Sequence, residues 1–440
     1  MIINKLKIVG LFEQFNYTIA FNTEEQLTII TGPNGYGKTM ILNIIFNFFN
    51  RRFYFFQNLV FKKIEFYLDN DFNIEITKKK ENVSSLFNEE KAEEKEKVLI
   101  KFIKNQGDID SIVYTNEAEN EFFSRIEKYL PIRRIAPTQW IDKRTDRVLT
   151  MEIILNEYSN QLPDEFTNNY YRLNVKNDKI FEIFKTSNVH LIKEQRLLKQ
   201  SFKKYSDREQ FITNTIQEYA EELKDLIRNT QAQSFIISQE LDSTFPKRLI
   251  EEKGKITEEE FNNRYKILIN KQEKLKKYGL SASKQEVLNQ YNKDDAKALL
   301  VYLNDSDAKI KIFDDLLNRI ELFTNILNER RFSFKTIQID TNTGFTFLTN
   351  INKTLNLKDL SPGEQHEVVL LYELIFKAKP NTTVLIDEPE ISLHITWQND
   401  FLKDLMQIIK LQSIQVIIAT HSPQIINENW DLTVNLEKQV

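Results

Sequence analysis

Gly32-Pro33-Asn34-Gly35-Tyr36-Gly37-Lys38-Thr39 places glycines, a lysine and a threonine at a spacing suited to holding phosphate. Glycine tolerates the dihedrals that turn successive backbone N–H groups toward an anion. Lysine neutralises charge on β- and γ-phosphates, and threonine offers a hydroxyl to Mg²⁺. The apolar run Leu27–Ile30 precedes this loop and the helical stretch Met40–Phe49 follows it, so the chemistry sits in a strand, turn, helix context. Gly32, Pro33, Asn34, Gly35, Tyr36, Gly37, Lys38, Thr39 and Met40 are the candidate residues for binding a nucleoside triphosphate such as ATP.

Three further clusters carry chemistry that would suit the same substrate. Val384-Leu385-Ile386-Asp387-Glu388 is an apolar strand ending in adjacent carboxylates, one for Mg²⁺ and one beside an attacking water. Leu360-Ser361-Pro362-Gly363-Glu364-Gln365 opens an amphipathic helix, His366–Lys377. Ser361 and Glu364 make a capping box, yet a helix N-terminus with a hydroxyl and a glycine also suits a terminal phosphate. Ala419-Thr420-His421-Ser422 closes the strand Gln415–Ile418 and presents an imidazole.

These residues need strands to place them, and the N-terminal third supplies candidates at Leu6–Leu11, Tyr17–Phe21 and Leu27–Thr31. A hairpin is expected from Ile64-Phe66-Leu68 and Phe72-Ile74-Ile76 across Asp69-Asn70-Asp71. Lys78–Lys97 is charged throughout and reads as a solvated loop or an exposed helix. Val189–Ile192 is a further short strand. Asp108-Ile109-Asp110 stands before a strand Ser111–Tyr114, beside a turn at Gly107. From about Ser206 to Asn328 apolar residues recur at helical spacing: Ile212, Ile216, Tyr219, Leu223 and Leu226-Ile227, then Ile312, Leu316, Ile320, Phe323 and Leu327. That pattern fits a protruding hairpin or a packed helical subdomain equally well. Strands resume at Thr336–Asp340 and Phe345–Leu348.

Composition excludes several alternatives. The 440 residues are 41% hydrophobic and 28% charged, enough to bury a full core. The absence of cysteine excludes disulfides and Cys-ligated zinc. The four histidines, His190, His366, His394 and His421, are too scattered for a histidine-rich metal centre. A net charge of −4 gives no global attraction for nucleic acid. No apolar run approaches the roughly 18 residues of a membrane span, so no membrane association and a cytoplasmic location are expected.

In this order, the phosphate loop, Ser-x-Gly-Glu-Gln, Asp-Glu and His motifs together resemble ABC-type ATPases of the SMC, Rad50 and OLD branch. The resemblance covers the N-terminal lobe and about residues 355–425 strongly. It implies an α/β fold: an ABC-type P-loop ATPase head, a mixed sheet with an antiparallel lobe, carrying a helical or coiled-coil insertion. The domains expected are 1–200, with the phosphate loop and antiparallel lobe; 201–330, the helical insertion; and 331–440, with the remaining motifs. Carried over residue by residue, Lys38 and Thr39 hold phosphate and Mg²⁺, Asp387 supports Mg²⁺, Glu388 polarises water and His421 senses the γ-phosphate. Ser361, Gly363 and Glu364 would act on the nucleotide of an opposite protomer, which implies an ATP-sandwiched dimer or higher homo-oligomer. Pro362 and Glu364 depart from the usual Leu-Ser-Gly-Gly-Gln. Ser392-Leu393-His394 matches the loop that passes along the dimer seam. The family also needs a glutamine that reaches Mg²⁺ and the water; Gln195 is the candidate, with Gln139 in competition. Adenine recognition stays open among Phe12, Phe15 and Tyr17.

The chain resembles in outline the ATPase subunits of bacterial anti-phage systems of the PARIS and Septu kinds. The resemblance implies an ATPase that hydrolyses ATP to ADP and phosphate and governs a separately encoded effector. A Toprim-like or an HNH nuclease is the expected partner, and DNA or a phage protein the expected trigger. The chain ends about twenty residues after His421, where OLD nucleases continue into Toprim, so the effector is expected on another polypeptide. The competing expectation is a Rad50- or RecF-like ATPase of DNA repair.

Overall fold

The computed structural model describes residues 2–69, 72–83, 93–104, 107–114, 126–136, 139–144, 147–150, 154, 158, 184, 187–192, 198–200, 212–281, 291–332, 334–391 and 393–439. The principal elements run β1 (Ile3–Leu11), β2 (Phe15–Ala20), β3 (Leu27–Thr31), α1 (Lys38–Phe49), β4 (Lys63–Leu68), β5 (Phe72–Val83), β6 (Glu93–Lys104), β7 (Gly107–Tyr114), β8 (Ile132–Ala136), β9 (Gln139–Asp142), β10 (Val148–Thr150) and β11 (Asn188–Ile192). Four helices follow: α2 (Thr215–Glu251), α3 (Glu258–Lys277), α4 (Ala296–Lys311) and α5 (Asp314–Ile326). The rest are β12 (Lys335–Asp340), β13 (Gly344–Thr349), β14 (Thr354–Leu355), α6 (Pro362–Tyr372), β15 (Thr382–Asp387), α7 (Phe401–Gln412), β16 (Gln415–Ala419) and β17 (Thr433–Asn435). The chain divides into two units, one of Met1–Glu194, Gln200–Phe211 and Ala378–Val440, the other of Gln195–Lys199 and Ile212–Lys377.

In the first unit a parallel sheet has the order β11-β15-β16-β3-β17. Every residue of β3 and β16 is buried, as a parallel strand covered on both faces requires, which is why these segments are mostly apolar and do not alternate. The antiparallel sheet β2-β1-β4-β5-β6-β7 alternates instead: Ile64, Phe66 and Leu68 are buried while Lys63, Glu65 and Tyr67 between them are partly exposed. Helix α1 supplies the core shared by the two sheets through Ile41, Leu42, Ile45 and Phe48. Phe48 stacks on Phe66 at 4.9 Å between centroids, and each ring buried this way contributes on the order of 2–3 kcal/mol. Gln415 ties the sheets together, its amide accepting from the Ile3 N–H (3.1 Å) and donating to the Ile3 carbonyl (2.8 Å).

Three expectations change. Lys78–Lys97 is neither loop nor helix where it is described: β5 and β6 continue through it as paired strands, with Lys80 opposite Glu96 and Glu81 opposite Lys95. Backbone hydrogen bonds carry that pairing, and lysine or glutamate makes them as readily as valine, so charge content concealed the strands. The turn residues Asn70 and Asp71 lie outside the described residues. Asp108-Ile109-Asp110 lies inside β7, which begins at Gly107. Ile212 belongs to a short strand, Ile212–Asn214, and the long helix starts only at Thr215.

The second unit holds α2 to α6 and β12 to β14. Helix α2 packs on α4 and β13, and α3 on α4. Gly344 in β13 leaves no room for a Cβ, because α2's backbone at Ala220 lies directly against it. Ion pairs lace the helices: Arg248 to Asp305, Arg264 to Asp307 (2.7 Å), Lys271 to Asp314 (2.9 Å) and Lys274 to Glu321 (3.0 Å). Among the described residues no helix is long and apolar enough to cross a membrane.

Candidate nucleotide site

The parallel order places β16 between β3 and β15, in register, with Ile30 beside Ala419 and Ala419 beside Asp387. The phosphate-type loop after β3, the Asp-Glu pair after β15 and Thr420-His421 after β16 therefore all emerge from the C-terminal ends of adjacent strands. That edge is where open α/β sheets bind ligands.

The loop has the backbone its sequence predicts. Gly35 and Gly37 take φ of 89° and 81°, values costly for any residue with a Cβ. Gly37 precedes α1, whose first turn has no acidic residue and no side-chain cap, which leaves its leading N–H groups suited to an anion. The Lys38 ammonium is buried and donates to the carbonyls of Gly32 (2.8 Å) and Pro33 (3.3 Å), holding its charge against the loop. From beneath, the Tyr17 hydroxyl donates to the Tyr36 carbonyl at 2.8 Å. Burial, with Tyr36 adding a smaller push, raises that hydroxyl to about 12, so it stays a donor at neutral pH. Phe15 stacks on Tyr17 at 5.6 Å. Of the three aromatics considered for adenine, Tyr17 is fully buried and Phe12 is 39% exposed.

The Thr39 hydroxyl donates to Asp387 Oδ1 at 3.1 Å, joining the start of α1 to the end of β15. Two hard oxygen ligands converging on one point suit Mg²⁺, which is held by one or two protein oxygens together with substrate phosphate. The donor set thus fits the metal that the sequence implies. Glu388 follows with φ of 43°, a left-handed conformation that costs a β-carbon residue on the order of 1–3 kcal/mol. Its N–H donates to the Ala419 carbonyl (2.9 Å), the last bond of the β15–β16 ladder, and the left-handed turn then ends the strand. His421 Nδ1 stands 3.8 Å from Glu388 Oε1 and 3.1 Å from Glu390 Oε1. His421 and Glu390 also line a cavity of about 570 Å³ with Gln398, Ser422 and Gln424.

A profile for the AAA ATPase domain matches residues 1–426. The chain belongs to the AAA ATPase domain family. No curated protein matches it significantly. Among solved structures, this AAA ATPase domain protein is similar to the Smc head domain with an extended coiled coil bound to the C-terminal domain of ScpA, derived from Pyrococcus furiosus. That match has 15% identity and a TM-score of 0.36, and covers 96% of this chain and 90% of that one. The SMC head domain of Thermotoga maritima gives 14% identity and a TM-score of 0.33, over 99% and 94% of the two chains.

In the second unit the AAA ATPase domain protein forms the capping box expected at α6. Ser361 Oγ accepts from the Glu364 N–H (3.3 Å) and Glu364 Oε2 accepts from the Ser361 N–H (2.8 Å). Lys335 of β12, which sequence reasoning missed, donates to both Glu364 oxygens at 2.7 and 2.8 Å. Partial burial pushes the Glu364 carboxyl up, but the Lys335 and Ser361 hydrogen bonds outweigh it and hold the group below the ordinary carboxylate range. A Cβ added at Gly363 would meet nothing within 4 Å, so the chain's own packing does not require glycine there.

Gln195 and Ser392 lie outside the described residues. Val189–Ile192, which leads toward Gln195, falls in β11 at one edge of the parallel sheet, whereas Gln139 begins β9 in a separate three-stranded sheet. The His394 carbonyl accepts from the Trp397 N–H (2.8 Å). Glu390 also escaped sequence reasoning; its signal was a third acidic residue, two positions beyond Glu388.

Proposed function

We propose that the ends of β3, β15 and β16 bind Mg²⁺-ATP and that Glu388 directs water onto the γ-phosphate. Lys38 and the Gly32–Gly37 amides hold the phosphates, Thr39 and Asp387 hold Mg²⁺, and His421 contacts the terminal phosphate. Gln195 joins Mg²⁺ and the water from the segment after β11. When bound, Mg²⁺ neutralises charge that builds on the phosphate oxygens during transfer. The observation that carries this reading is the Thr39–Asp387 hydrogen bond, because it converges the two metal-ligand candidates from elements far apart in sequence.

The site is completed in trans: Ser361, Gly363 and the start of α6 close on the nucleotide of a second copy, giving a dimer or a higher homo-oligomer. The open space at Gly363 supports this, since a glycine idle within its own chain is suited to close approach by another molecule. The ATP-driven association regulates a separately encoded effector, a Toprim-like or HNH nuclease, in bacterial anti-phage defence, with DNA or a phage protein as trigger. Lys38→Ala tests the nucleotide site. Loss of measurable ATP binding by calorimetry, with the thermal unfolding profile kept, is expected, and retained tight binding would refute the site. Co-purification of a nuclease from the native operon tests the regulatory role.

A further inference from the structure

The geometry points to Glu390 as the positioning residue of His421, fixing the proton on Nδ1 so that Nε2 is the nitrogen the ring offers to ligand. This rests on His421 belonging to the nucleotide site proposed above. The Glu390 side chain is 7% exposed, and one oxygen accepts from the Thr420 hydroxyl (2.7 Å) and the His421 backbone N–H (3.0 Å) and lies 3.1 Å from His421 Nδ1. Its other oxygen is buried and has no hydrogen-bond partner among the described residues. Because that oxygen already accepts two hydrogen bonds, a proton on Nδ1 is what makes the 3.1 Å contact attractive.

The surroundings are built to keep that oxygen in place. Gln398 donates to the carbonyls of Glu390 (3.2 Å) and Leu393 (3.1 Å) and accepts from the Ser422 hydroxyl (3.1 Å). The Ser422 N–H donates to Thr420 Oγ1 (3.0 Å). The two residues flanking His421 are thus tied to the segment that carries Glu390. His421 itself is half exposed, so its ring is steered from the buried side alone. Glu388, at 3.8 Å from Nδ1, lies beyond hydrogen-bond range and stays available for water. The two carboxylates divide the work: Glu390 orients the imidazole and Glu388 meets the substrate.

Four histidines make the ring directly observable by ¹⁵N NMR of histidine-labelled protein, with His421→Gln assigning the signal. His421 is expected to show a protonated Nδ1 without nucleotide. Glu390→Ala should lose that signature and lower kcat about tenfold or more while ATP affinity is kept, as when carboxylates that orient imidazoles are removed elsewhere. Glu390→Gln keeps an acceptor oxygen and should retain Nδ1 protonation, which guards against a folding defect in the alanine variant. An unprotonated Nδ1 in the wild type, or a ring signature and kcat unchanged in Glu390→Ala, would overturn the assignment. Because the ring is read without nucleotide, ATP binding that survives Lys38→Ala would refute the nucleotide site and leave this result separately legible.

Discussion

At the scale of single residues, two acidic side chains two positions apart, Glu388 and Glu390, meet opposite fates. Glu388 sits in a left-handed turn with its side chain partly open, whereas Glu390 is buried and bound. Glu388→Gln removes the base but none of the contacts to phosphate, so hydrolysis measured by phosphate release should fall about 100-fold or more with ATP still bound. Turnover at the wild-type rate would remove Glu388 from that role. The placement of Lys38, Thr39, Asp387, Glu388 and His421 at adjacent strand ends was legible, because a glycine-spaced loop and apolar strands ending in polar residues report local backbone demands. Glu390, Thr420 and Lys335 were not, since their roles arise from contacts that only the folded chain creates.

At the scale of elements, the start of α6 depends on a lysine borrowed from β12. The folded Glu364 carboxyl titrates below its ordinary value of 4.5, so the cap's contribution is present above that pH and is lost as pH falls through the lower folded value. Amide exchange in the first turn of α6 should accordingly accelerate only in acid. Lys335→Met should move that acceleration to higher pH, and an unchanged profile would exclude the ion pair as a clamp on Ser361. Gly363→Ala tests the same turn from outside: it should leave thermal stability equal or raised by a few tenths of a kcal/mol yet abolish ATP turnover. Full activity in that variant would mean nothing closes on the turn. The mostly apolar β3 and β16 revealed themselves in the sequence through their composition. The charged halves of β5 and β6 did not, because a backbone ladder leaves no mark on hydrophobic periodicity.

At the scale of the whole molecule, the residues proposed for catalysis divide between two units: Lys38, Asp387, Glu388 and His421 in one, Ser361 and Gly363 in the other. The order of motifs along the sequence resembled ABC-type ATPases, and the family match is to an AAA ATPase domain over residues 1–426. How protomers share a site is a property of assembly, which no periodicity within one chain encodes. The central claim is that each site draws Lys38 from one copy and Ser361 from another. Its most direct test is ATP turnover by an equimolar mixture of Lys38→Ala and Ser361→Arg proteins, each inactive alone. Recovery of activity on mixing is predicted, since a mixed pair rebuilds one intact composite site. A mixture that associates but stays as inactive as its parents would contradict the account.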